Sequence, residues 1–170
     1  DAQGGLVCSS DDGVPPAPVA EHCLLGGSVP PIGTVRVGRF VPSTEARPAV
    51  LPLCVAFSDE VQRGFIVMEL SLDWLAAHIA ELPLPPRSTV GIADRDGTTL
   101  VRLPGHEQQV GQKLPAGVLP LVDTDRRGTA WVTGFDGQDR VVGYVPAGLG
   151  DQGMFVSIGL FAPDIIADID

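Results

Sequence analysis

Apolar residues in this chain come in short bursts, and proline or glycine separates nearly every burst from the next. The stretch Gly64 to Leu70 reads as a strand that passes straight into a helical pattern. Leu72, Leu75, Ala76, Ile79 and Leu82 fall on one helical face, and Pro83 ends it because the residue before proline avoids the helical region. Before it, the pattern predicts short strands at Leu6–Cys8, at Thr34–Val41 and at Ala49–Phe57, with a loop from Ser9 to Pro31. Pro52 inside the last of these strands points to an edge or a bulge. After the helix, strands are expected at Thr89–Ala93, Thr98–Leu103, Thr129–Phe135, Gln138–Pro146 and Met154–Phe161. Asp96-Gly97 and Asp136-Gly137 sit between apolar runs, the signature of hairpins whose central turn residues take positive φ.

The two sets of strands repeat at a period of about 90 residues. Asp1-Ala-Gln-Gly4-Gly-Leu-Val echoes Asp94-Arg-Asp-Gly97-Thr-Thr-Leu-Val. Phe65 to Asp73 echoes Phe155 to Asp164, so each set closes with a strand that enters a helix. Two echoes in the same order predict two modules, 1–82 and 83–170.

Composition narrows the partners. Asp+Glu 21 against Lys+Arg 11 gives a net charge of −10, which repels phosphate backbones and argues against nucleic acid. Gly 21 and Pro 16 favour many short strands and turns over long helices. No apolar run is long enough to cross a bilayer. Both ends read as cut: a turn opens the chain and a helix beginning near Pro163-Asp164 closes it, as in a piece of a longer protein.

Catalytic chemistry is hard to find. Cys8, Cys23 and Cys54 lack paired zinc-ligand spacing; one disulfide with a spare thiol and three buried small hydrophobes both fit them. His22 and Cys23 are adjacent and point apart. His78 shares a helical face with Trp74, and His106-Glu107 reads as a solvated loop. Asp94 and Asp96 resemble the start of a calcium loop, but Gly97 comes too early and no Glu closes it. Neither an enzyme, a metal site nor a cofactor is expected.

The hairpin Gly91 to Pro104 followed by Val110-Gly111-Gln-Lys-Leu114, the stretches Gly38–Val41 and Arg47–Leu53, and the junction Leu70 to Pro85 together resemble the double Cache extracytoplasmic sensor domains of bacterial transmembrane receptors. The resemblance implies an α+β fold of two PAS-like modules, each an antiparallel sheet flanked by helices. In that frame the N-terminal, membrane-distal module lacks its first strand and long leading helix, and the second module leads back to the membrane. It also implies a periplasmic input domain of a membrane-anchored histidine kinase, diguanylate cyclase or chemoreceptor, with a small-molecule ligand. Arg36, Arg39 and Arg47 cluster in the first module, and a guanidinium grips a carboxylate bidentately, so an anionic metabolite is expected there. Surface pairing with Glu45 and Glu69 is the plain alternative. In the second module Trp131, Phe135, Arg140 and Tyr144 lie on two facing strands, as a second small pocket or as a cross-strand packing cluster. A competing function is a periplasmic protein-interaction module or homodimer with no small ligand.

Overall fold

The computed structural model describes residues 9, 23, 31–45, 47–58, 62–149 and 153–167. Its chain divides into two compact units, Asp1–Ser71 and Leu72–Asp170. The strand expected at Leu6–Cys8 and most of the loop from Ser9 to Pro31 lie outside the described residues.

The first unit carries a three-stranded antiparallel meander of β1 (Val35–Val37), β2 (Val50–Ser58) and β3 (Arg63–Ser71), in that order. Nine paired residues, from Val50 opposite Ser71 to Ser58 opposite Arg63, lock β2 to β3. Alternation then sends Pro52, Cys54 and Ala56 to a buried face and leaves Ile66 and Met68 exposed on the other. β1 is much shorter than the expected Thr34–Val41 strand. Gly38 donates to the Pro52 carbonyl at 2.8 Å, but Pro52 has no N–H to return. The ladder therefore breaks there and resumes as one isolated bridge, Val41 with Val50. Cys54, on this face, is bonded to Cys23 at a sequence separation of 31.

The second unit begins with α1 (Leu72–Ala80), whose buried Leu72 and Ala76 form the apolar stripe and which packs against β5. A five-stranded antiparallel sheet follows: β4 (Thr89–Ala93), β5 (Thr99–Leu103), β6 (Gly128–Thr133), β7 (Asp139–Val145) and β8 (Phe155–Phe161), ordered β5-β4-β8-β7-β6. The one-turn helix α2 (His106–Gln109) follows the cis Leu103–Pro104 bond, and α3 (Ala162–Ala167) continues β8 without a break. The run β6-β7-β8-α3 repeats the run β1-β2-β3-α1 in order and in antiparallel sense. The fold is thus α+β with two antiparallel sheets and accompanying helices.

Both hairpin turns differ in detail from the expected two-residue form. Gly97 and Gly137 take φ of 75° and 72°, while Asp96 and Asp136 keep negative φ. Asp94 instead closes the first turn by accepting the N–H groups of Asp96 and Thr98 at 2.9 and 2.8 Å. A side-chain acceptor does what a second left-handed residue would otherwise do.

Candidate functional site

The inner face of the five-stranded sheet is set by register. Thr89, Gly91 and Ala93 of β4 stand opposite Gly159, Ser157 and Phe155 of β8, and Gly91 stands opposite Arg102 of β5. Val142 and Tyr144 of β7 stand opposite Gly159 and Ser157, and Arg140 lies on the same face opposite Val132. Over this face the segment Leu114–Val122 lays Leu114, Val118 and Val122 into a core with Val132, Val142 and Phe155. Between floor and cover remains a cavity of about 20 Å³, walled by Thr89, Gly91, Thr99, Arg102, Val118 and Arg140 among others. That volume is room for about one water.

Arg140 is only 6 % exposed. Its Nη1 and Nη2 donate to the two oxygens of Asp136, both at 2.6 Å, and Nη1 also reaches the Gln138 carbonyl at 3.3 Å. Its Nε is buried with no partner. Asp136 sits in the β6–β7 turn, and hydrogen bonding from Arg140 above all holds its carboxyl at about 2, against the usual 3.8. Arg102 is half-buried, with its guanidinium carbon 5.6 Å from the centre of the Phe135 ring. It has no salt-bridge partner among the described residues. Burial lowers its pKa first and the neighbouring Arg140 lowers it further, with Asp136 opposing both. An arginine stays charged all the same. Two cations thus face one carboxylate. Thr99, 0 % exposed, turns an unpartnered hydroxyl into the same cavity, and Ser157 bonds weakly to the Gly91 carbonyl at 3.3 Å.

Space for these groups comes from glycines. A methyl group at Gly134 would lie 2.7 Å from Arg140 Nη1, and one at Gly159 would lie 2.6 Å from Thr89 Oγ1.

The residues expected from the sequence divide by place. Arg140 is in the cavity wall, and Phe135 lies beside Arg102. Tyr144 packs on the inner core and stacks on Phe155 at 6.2 Å. Trp131 is opposite Val141 rather than Arg140, so the period of two turns it to the outer face, 65 % exposed. The four do not form one pocket. In the first unit Arg36 is half-buried opposite Cys54, Arg47 is half-buried in a bridge to Thr44, and Arg39 is exposed beyond the end of β1. His106, expected in solvent, is buried at the start of α2, with Nε2 3.2 Å from Asp73 Oδ1 and neither ring nitrogen hydrogen-bonded. His78 stays on the surface, its Nδ1 2.9 Å from the Trp74 carbonyl and its ring 3.8 Å from that of Trp74. Arg102 and Thr99 carry no signal in the sequence, where each reads as an ordinary strand residue. Their place opposite the glycine and alanine of β4 is what singles them out.

No family model matches the chain, and no curated protein matches it. Solved structures do. The ligand-binding domain of the Pseudomonas fluorescens chemoreceptor CtaA, in complex with L-leucine, aligns with a TM-score of 0.66 at 19% identity, over 96% of this chain and 69% of that one. That of the Pseudomonas aeruginosa amino acid chemoreceptor PctB, in complex with L-Arg, gives 0.66 at 16% identity over 96% and 69%. The extracellular domain of the histidine kinase rpHK1S-Z16 gives 0.59 at 14% identity over 78% and 56%. The chain spans roughly half to two thirds of the length of such structures, and it shares their double PAS-like, Cache-type fold.

Proposed function

We propose that this chain is the ligand-sensing input domain of a transmembrane signalling protein, placed outside the cytoplasm, and that its ligand is a small anionic metabolite. One observation carries the reading: a surplus of positive charge, half-buried Arg102 and buried Arg140 against the half-exposed Asp136, at a cavity of a fold shared with chemoreceptor and histidine-kinase sensory domains. The Cys23–Cys54 disulfide supports an oxidising, periplasmic setting. The domain binds and releases its ligand without turning it over. Its output partner is a histidine kinase, a diguanylate cyclase or a chemoreceptor, reached through the helix that follows β8. A ligand that favours one of two arrangements of the sheet shifts that helix by its differential affinity.

A thermal-shift screen of small metabolites tests the proposal. At 100 times its Kd a true ligand adds about 2.7 kcal/mol of stability, a rise of several degrees. Arg36→Gln and Arg47→Gln run beside it separate a first-unit site from the second-unit cavity. A screen in which no metabolite raises the melting temperature of the chain overturns the sensory reading.

A second reading, self-association as a homodimer, is favoured by the outer face of the second sheet. Trp131, Val145, Val156 and Ile158 lie there between 38% and 65% exposed. Light scattering that gives a dimer mass, restored to monomer by Trp131→Ser with Ile158→Ser, is the result expected of it. A monomer mass at every concentration tested removes it.

A further inference from the structure

We infer that the second-unit cavity selects a small monocarboxylate of two or three carbons, with Arg102 as its anchor and Asp136 as the group that limits the charge admitted to one. The inference rests on the sensory reading above and adds to it a location and a ligand class.

Charge sets the first limit. Arg140 is already saturated on its forked side by Asp136, so Arg102 is left as the single uncompensated cation. One carboxylate balances it. A second carboxylate on the same ligand would meet the half-exposed Asp136 carboxylate at the cavity's edge, where water weakens the repulsion without removing it. Size sets the second limit. The cavity holds about 20 Å³ as it stands, and its boundary is mostly sheet and buried core. Arg102 is the half-exposed part of that boundary, so a body the size of acetate or pyruvate would enter where that side chain moves outward, and a larger one would strike sheet and core. Polarity sets the third. The buried Thr99 hydroxyl and the Arg140 Nε lack partners, and both are donors, which is what a carboxylate or a keto oxygen requires. Leu114, Val118, Val132 and Val142 supply apolar contact for a methyl tail.

Calorimetric titration of the chain with acetate, pyruvate, succinate and serine decides the matter. Wild type should bind acetate or pyruvate and discriminate against succinate by about tenfold or more. Arg102→Gln should weaken acetate and pyruvate by about tenfold to a hundredfold, the usual loss when a charged hydrogen-bond partner is removed. Asp136→Asn should do the opposite, tightening the monocarboxylate and admitting succinate. Thr99→Val, nearly isosteric, should weaken binding severalfold while raising the melting temperature of the free protein, because it removes an unpartnered hydroxyl. That variant keeps the test decisive if Arg102→Gln folds poorly. Succinate binding as tightly as acetate to the wild type, or acetate binding unchanged in both Arg102→Gln and Thr99→Val, overturns the inference. Serine binding without acetate or pyruvate sinks the monocarboxylate site and leaves the sensory reading standing. If none of the four binds and the broader metabolite screen is also silent, both fall.

Discussion

The pair Asp136–Arg140 shows how one ionisable group writes itself into the pH profile of the fold. The folded-state pKa of Asp136 lies below its unfolded value, so its contribution is present above the unfolded pKa and is lost as pH falls through the folded one. Urea midpoints should therefore drop for the wild type between about pH 4 and pH 2, and Asp136→Asn should flatten that part of the curve. At neutral pH the same variant should melt lower than the wild type, since it leaves the buried guanidinium of Arg140 without its carboxylate. A second prediction at this scale concerns Gly159. Its replacement by alanine puts a methyl group 2.6 Å from Thr89 Oγ1 and 3.1 Å from Arg140 Cδ, and overpacking of that kind costs about 1–3 kcal/mol, read as a lower urea midpoint. Arg140 is legible in the sequence as one of four residues on two facing strands, where a small pocket and a packing cluster both fit. Trp131 shares a face with neither Arg140 nor Tyr144 because 131 pairs with 141, and register is a property of the pairing that a single strand does not show.

Elements were read with more success than the contacts between them. The strands at Gly64–Leu70, Thr89–Ala93 and Met154–Phe161 and the helix before Pro83 came from local alternation, and the structure places each within one or two residues of its expected start. The strand at Thr34–Val41 was overread, since nothing local shows that its partner would be the proline that ends the ladder. The helix carrying His106 has no signal in the sequence because it is a single turn entered through Gly105 at a φ of 93°, which does not alter the hydrophobic pattern. The first hairpin provides the prediction at this level. Gly97 holds a φ of 75°, and an added methyl group would strike the Leu119 side chain. Gly97→Ala should destabilise the second unit by about 2 kcal/mol or more, combining a left-handed penalty of about 1–2 with the clash. Urea denaturation followed by Trp131 fluorescence measures it.

At the scale of the molecule, one of the two sequence echoes, Phe65–Asp73 with Phe155–Asp164, has its counterpart in the topology, a meander that ends in a helix, seen twice; the echo at Asp1–Val7 lies outside the described residues. The candidate cavity was less legible, because it depends on three glycines and two arginines brought together from four strands and a turn. The units also differ in how they are fastened. Cys23–Cys54 belongs to the first alone, and closing a loop of that span stabilises it by about 3–4 kcal/mol on chain-entropy grounds. Calorimetry in the presence of a reductant should move a transition belonging to the first unit to lower temperature and leave that of the second in place. A single transition that shifts as a whole would instead show that the two melt together.

The unbroken passage from β8 into α3 has a mechanical corollary. Ser157 floors the cavity, and five residues further on the same backbone is already helical. Arg87 grips the first turn of that helix through Asp164 and lies over Phe161 with its guanidinium 4.4 Å from the ring centre, so the joint has a bracing stay on one side. With a hold on one side only, a shift of that strand would turn the first helical turn about Asp164 sooner than slide it along its axis.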